Sequence, residues 1–314
     1  MQTRPKKKEI NLYANDMITW DHEGKAYVLR VETDDLVGDP RLEEDVHVAR
    51  LCLDYDNYRL GDYQGENKKS LPQFLSETIR ECVPMDVLAE QLRGGAVPEW
   101  SVEDDGGAED FLDALEDDEI GSPLAAAAKL CEDYAVILPV WLYDHGGITI
   151  SAGPRVYPYN DRWDSGCAGC AVLTKADALA NLAEYLTDED GQPKKVCDAA
   201  GNWHYHAVRA NDGNWERLAE KHILAEVEAY DQYLTGDIYW YELLERPAGD
   251  GTLPSEADDW DECDSCGGFY GSDILANGMA EQAGHGLEEA LASGNYRPGR
   301  CEPYTVLKHR FKFN

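Results

Sequence analysis

Apolar and polar positions first alternate in a way that suits strands. Ile18-Thr19-Trp20 and Ala26-Tyr27-Val28-Leu29-Arg30-Val31 flank Asp21-His22-Glu23-Gly24, which predicts a β-hairpin around a Gly-containing turn. Val46, Val48, Leu51 and Leu53 predict a further strand over 46–55. The period then lengthens. Over 70–93, Phe74, Leu75, Ile79 and Val83 recur at helical spacing, Ser70 is placed to cap, Pro72 sits early, Pro84 interrupts, and Gly94-Gly95 ends the run. Over 101–120, Phe111, Leu112 and Leu115 form a thin apolar stripe among carboxylates, which predicts a short acidic helix.

A helix capped at Ser122 and an apolar strand over 135–143 follow. Thr174 and Asp177 resemble a capping box that opens a helix to about 186. The clearest helical pattern is 212–235, with Trp215, Leu218, Ile223, Val227 and Tyr230 on one face and Gly236 at its end. A strand over 237–245, an acidic loop over 256–264, a Gly-broken helix over 272–293 and a strand over 304–313 complete the chain. Strands and helices do not alternate regularly. The expected fold class is α+β, with mixed or antiparallel sheets and packed helices, not doubly wound. The expected organisation is a β-rich and helical region over 1–134 ending in the acidic segment, then an α+β domain over 135–314.

Composition narrows the partners. At 43% hydrophobic, the 314 residues hold enough apolar material for a core, which argues against disorder. Sixty-two acidic residues against 28 basic ones give a formal charge of −34. That charge disfavours direct contact with nucleic acid or an anionic membrane and favours a basic protein partner. A merely solubilising surface is the plainer reading of the same number. Eighteen Tyr and eight Trp against five Phe supply rings with polar handles, which suit interfaces as well as sheet faces. The N-terminal MQTRPKKKEI has no apolar region behind its basic residues, so no signal peptide is expected. Nine cysteines then imply a reducing cytoplasm with free thiols.

Two pairs, Cys167-Ala-Gly-Cys170 and Cys263-Asp-Ser-Cys266, have metal-ligand spacing. Such pairs hold tetrahedral zinc when each spans a tight turn that aims both thiolates at one point. Here 92 residues separate the pairs, against about 15–20 in zinc ribbons. Free thiols in Gly-rich turns is therefore the simpler expectation, with no cofactor unless the fold unites the pairs. His204 and His206 are further candidate ligands. A cysteine hydrolase is the other chemistry on offer. Cys266 beside Gly267-Gly268 would be the nucleophile, His145 or His285 the base, and Asp144 or Asp164 its orienting carboxylate. The neighbours Asp261, Glu262 and Asp264 would raise a thiol pKa and work against it.

Three segments belong together: 142–149 (LYDHGGIT) with 163–166 (WDSG), 228–237 (EAYDQYLTGD), and 264–271 (DSCGGFYG). The set resembles an uncharacterised family of acidic proteins carried by bacteriophages and conjugative elements, over roughly 135–275 of this chain. The resemblance implies a mobile-element origin and carries no activity with it. Small acidic proteins that block host defence are common on such elements.

The functional expectation is a mobile-element protein that inhibits a host defence system by binding it in the host cytoplasm, as an acidic mimic of DNA. Duplex DNA carries one charge per ~1.7 Å, so 34 charges match roughly 17 base pairs. The expected contact residues are Glu103, Asp104, Asp105, Glu109, Asp110, Asp113, Glu116, Asp117, Asp118 and Glu119, with Asp258, Asp259, Asp261 and Glu262. The expected partner is a basic, nucleic-acid-handling defence complex. The alternatives are a cysteine- or zinc-dependent enzyme and a scaffolding protein of the element, for which a homo-oligomer is expected.

Overall fold

The hairpin at the start of the chain forms as its alternation predicts. Strands β1 (Asp16–His22) and β2 (Lys25–Thr33) pair antiparallel. Glu23 and Gly24 between them have φ of 46° and 77°, the positive pair that a two-residue turn needs to match strand twist. The computed structural model describes residues 9–42, 47–54, 58, 60–100, 107–153, 163–187, 194–197, 203–248, 260–301 and 311–313. They fall into two compact units, Met1–Gly38 with Gln232–Asn314, and Asp39–Asp231.

The first unit is built on an antiparallel six-stranded sheet. Its order is β13 (Asp261–Tyr270), β12 (Ile238–Pro247), β2, β1, β14 (Arg297–Cys301) and β15 (Phe311–Phe313). Trp20, Leu29, Val31, Tyr241 and Leu243 on one face pack with Met279 of helix α7 (Met279–Ala283) and with Leu287 and Leu291 of α8 (Leu287–Ser293). Met17, Val28, Leu244 and Trp260 form a smaller cluster. β2 is thus apolar without strict alternation, as a strand buried on both faces should be.

The second unit carries a five-stranded antiparallel sheet. Its order is β4 (Leu60–Gly61), β3 (Arg50–Leu53), β7 (Ser165–Thr174), β5 (Ala135–Asp144) and β6 (Ile148–Ala152). Four helices pack on Cys52, Ile137, Cys170 and Val172 of this sheet: α1 (Leu71–Cys82), α2 (Met85–Arg93), α3 (Gly107–Glu116) and α4 (Pro123–Leu130). Ser70 caps α1 through a capping box with Gln73, and Pro84 separates α1 from α2. Helix α6 (Trp215–Thr235) ties down β4 and β6. Gly61 N–H donates to the Tyr230 hydroxyl at 3.1 Å, and Asp231 accepts from Thr149 and Ile150, each at 2.7 Å.

The class is therefore α+β, with packed helices on antiparallel sheets and no doubly wound core. The expected boundary at 134/135 falls inside the second unit, where Ala135 N–H still bonds Cys131 O at 2.8 Å. Helix α5 (Lys175–Asn181) stops short of 186, because β8 (Ala183–Tyr185) pairs with β11 (Ala207–Arg209). Close by, β9 (Lys195–Cys197) pairs with β10 (Trp203–Tyr205). The acidic loop expected over 256–264 is strand from Asp261 onward. Among the described residues, no helix is long and apolar enough to cross a membrane.

Candidate functional site

Backbone pairing creates the one His–carboxylate arrangement that the sequence singles out. β5 ends at Asp144, β6 begins at Ile148, and His145-Gly146-Gly147 turns between them, Gly146 at φ 79°. Tyr143 pairs with Ser165, and Asp144 N–H extends that ladder by bonding Asp164 O at 2.7 Å. Asp164 is thereby brought beside the turn, and its Oδ2 lies 2.9 Å from His145 Nδ1. The Tyr143 ring stacks against the imidazole at 6.0 Å. The Asp144 carboxylate is engaged elsewhere, where its Oδ2 accepts from the Tyr58 hydroxyl at 2.7 Å. Asp164 is thus the residue that orients His145. Such a pair fixes the imidazole tautomer and leaves Nε2 as an acid–base group on an open surface. The side chain of His145 is 71% exposed, so among the described residues the pair lacks the dry environment that strengthens catalysis.

Cys266 belongs to the first unit and His145, Asp144 and Asp164 to the second, so neither unit by itself assembles the hydrolase set. Within its own unit Cys266 lies in β13, opposite Tyr241. One backbone N–H beside it is already engaged: Gly268 N–H donates to Asp34 Oδ2 at 2.9 Å. A Cβ on Gly267 would approach the same Oδ2 to 2.3 Å. An anion site filled by a carboxylate repels a developing oxyanion, so the Gly268 N–H is not free for that role. His285, the other candidate base, packs its ring 4.9 Å from Tyr27, and its carbonyl accepts from Trp20 Nε1 at 2.8 Å.

The cysteine pairs are not turns. Cys167 and Cys170 lie in β7, and Cys263 and Cys266 lie in β13. An extended strand rises about 3.3 Å per residue, which spreads an i, i+3 pair instead of converging it. Each pair also belongs to a different unit. Burial pushes the Cys52 and Cys131 thiols up to about 12, Cys82 to about 11, and Cys170 well up. Burial also raises Cys167 and Cys263. Among the described residues, no three His, Cys, Asp or Glu side chains converge in a metal-binding group.

The acidic block is partly balanced. All its described carboxylates, Glu109, Asp110, Asp113, Glu116, Asp117, Asp118 and Glu119, are exposed, while Phe111, Leu112 and Leu115 are buried in the helical layer. Arg80 of α1 pairs with Glu109, with Asp113 at 3.1 Å and with Glu116 at 3.7 Å. Three carboxylates of the block are therefore balanced by one arginine from a different helix. Asp110, Asp117, Asp118 and Glu119 form no ion pair among the described residues. Glu103, Asp104, Asp105, Asp258 and Asp259 lie outside the described residues. Asp261 and Glu262 stand exposed on β13, the outermost strand of its sheet, where charge discourages pairing with another sheet edge.

Two features are not visible in the sequence pattern. One is an ion network around the buried Arg41 in the second unit. Arg41 Nε and Nη2 grip Asp62 at 2.6 and 2.9 Å, and its Nη1 meets Glu226 at 2.8 Å. Burial opposes ionisation of Glu226. His222 at 2.8 Å, Val48 N–H and Arg41 outweigh it and hold the carboxyl at about 2. The other is the ribbon made by β8 to β11, which is exposed or half-buried throughout and carries Tyr185, Trp203 and Tyr205. The Trp-His-Tyr-His alternation over 203–206 is the only signal for it. No protein-family model matches this chain, and no curated protein and no solved structure is detectably similar to it.

Proposed function

We propose that this chain is a binding protein of a bacterial mobile element, which inhibits a host defence system by occupying a Lys/Arg-rich, nucleic-acid-handling surface. The observation that carries the reading is the exposed row on α3 and the turn after it. There Phe111, Leu112 and Leu115 anchor the helix, and Asp110, Asp117, Asp118 and Glu119 face solvent without a cation among the described residues. Carboxylates held on a packed helix and the turn that follows it form a pre-ordered polyanion, and order in advance lowers the entropic cost of docking. The charge of −34 adds long-range attraction toward a basic surface. The biological setting we propose, a bacterial mobile element, is the one that the resemblance of the 142–149, 163–166, 228–237 and 264–271 segments implies.

The test is binding to a purified DNA-handling defence enzyme across a salt series, with a duplex of roughly 17 base pairs as competitor. The expected result is competition by the duplex and loss of affinity as the Debye length falls from ~10 Å at 0.1 M to ~3 Å at 1 M. The D110N/D117N/D118N/E119Q variant should bind more weakly at unchanged stability. Salt-independent binding, equal in the variant, would leave the acidic row as a solvated face.

Among the described residues, the His145–Asp164 pair is the observation that favours an enzymatic reading. Replacement of His145 by Gln with no effect on inhibition would set it aside.

A further inference from the structure

The β8–β11 ribbon has two unlike faces. Trp203 to Tyr205 pairs with Cys197 to Lys195, and Ala207 to Arg209 pairs with Tyr185 to Ala183. Directly opposed residues share a face and alternate along each strand. Tyr185, Lys195, Trp203, Tyr205 and Arg209 therefore stand on one side. Two contacts bear this out: the Tyr185 and Tyr205 rings meet at 5.8 Å, and Lys195 Nζ sits 5.0 Å over the Tyr205 ring. Glu184, on the other side, turns inward, where Arg217 of α6 meets it at 2.6 Å and Lys221 at 3.3 Å. The aromatic side is thus the one facing away from α6. Trp203 is 70% exposed, Tyr185 57% and Tyr205 47%. In a chain with 62 acidic residues, the described residues of that face include two cations and no carboxylate.

A two-stranded ribbon with an uncovered aromatic face is marginally stable on its own. Its residue types, Trp, Tyr and Arg, are those that dominate binding energy where proteins meet. We infer that this face is a docking surface whose occupant is a second copy of the chain, each ribbon seated on acidic surface of its partner. Charge complementarity selects the occupant. Lys195 and Arg209 require an acidic receiver, and every copy carries carboxylates in excess. Area selects the reciprocal arrangement. A large aromatic ring offers roughly 150–250 Å², so three partly exposed rings offer on the order of 350 Å² per ribbon. Counted on both sides and for two ribbons, this is on the order of 1,400 Å², in the range of stable specific interfaces, about 1,200–2,000 Å². A one-way contact would bury half as much. A nucleic acid is a poorer fit, since Lys194, Lys195 and Arg209 reach few phosphates and form no basic track along a strand.

Sedimentation of the full chain over a concentration series tests this. Wild type should be a reversible dimer. W203A/Y205A should weaken dimerisation by ~30-fold or more, and K195E/R209E by roughly tenfold. These residues are exposed, so the variants should keep the wild-type circular dichroism; Y185S provides an independent lesion should W203A/Y205A misfold. Wild type that stays monomeric at every concentration overturns the inference. So does a dimer of equal strength in all three variants. A monomer that binds oligo(dT) through Trp203 and loses that binding in W203A/Y205A would overturn it too, and would reassign the face to single-stranded nucleic acid. The dimer does not depend on the proposed inhibition, because sedimentation needs no defence enzyme.

Discussion

Arg41 and Glu226, 185 residues apart in the chain, meet at 2.8 Å in the second unit. The contact fastens α6 to the segment ahead of β3, because Glu226 also accepts from Val48 N–H at 2.7 Å while Arg41 also donates to Ala49 O at 2.7 Å. Arg41 is 6% exposed. Removing one member of a buried ion network strands the others at a cost of about 3–5 kcal/mol. Arg41→Ala leaves Asp62 and Glu226 without their shared cation and should destabilise by that amount in urea titrations. An equal midpoint for wild type and variant would show the network to be energetically idle.

The same carboxylate sets a pH dependence. Its folded pKa, about 2, lies below the ~4.3 of a free glutamate. A depressed carboxyl stabilises the fold above the unfolded value, and the contribution disappears as pH falls through the folded one. The contribution at neutral pH is on the order of 3 kcal/mol. Stability should therefore drop between about pH 4.5 and pH 2, and Glu226→Gln should flatten that part of the curve. Relief of global repulsion as other carboxylates protonate is common to both proteins and cancels in the comparison. Parallel curves would remove Glu226 as the cause.

Gly169 is required by the approach of two strands. It has φ 153°, and a Cβ there would fall 1.9 Å from Cys52 O in β3. Gly169→Ala must separate β7 from β3 and should cost about 3 kcal/mol or more. Gly166 in the same strand has open space around its Cβ position. Gly166→Ala should change stability by less than about 1 kcal/mol, and thermal melts of the two variants separate the predictions.

Where local pattern and tertiary packing agree, the sequence is readable. The β1–β2 hairpin, the Pro84 break between α1 and α2, the Ser70 and Thr174 caps and α6 all follow from spacing and turn chemistry. β7 and β13 resemble turns locally because Ser165-Gly-Cys-Ala-Gly-Cys and Asp-Glu-Cys-Asp-Ser-Cys have weak strand propensity. β7 is a strand because it lies between β3 and β5, where small residues let neighbouring backbones close in. The pairing partners of a strand are set by contacts far along the chain, and no local window contains them. The same holds for the site. Asp164 and His145 are both candidates by residue type, yet only the β5–β7 register distinguishes Asp164 from Asp144 as the orienting group. The partner of the acidic helix is hidden for the same reason, since Arg80 lies on a different helix, 29 residues before Glu109.

That arginine couples stability to the proposed contact. Arg80 is about a third exposed and gathers Glu109, Asp113 and Glu116 on the face of α3. Exposed ion pairs contribute about 0.2–1 kcal/mol each, less in salt. Arg80→Ala should therefore cost roughly 1 kcal/mol in stability at low salt, and the loss should shrink at 1 M NaCl. The effect on function runs the other way. The variant uncovers three carboxylates and makes the acidic row continuous from Glu109 to Glu119, so encounter with a Lys/Arg-rich partner should quicken severalfold at low ionic strength. Stopped-flow association with the defence enzyme, set beside urea titrations of the same protein, reads both quantities. A variant that is both less stable and slower to associate would mean that Arg80 holds α3 in its binding geometry. A variant that is less stable with an unchanged rate would place the contact elsewhere on the chain.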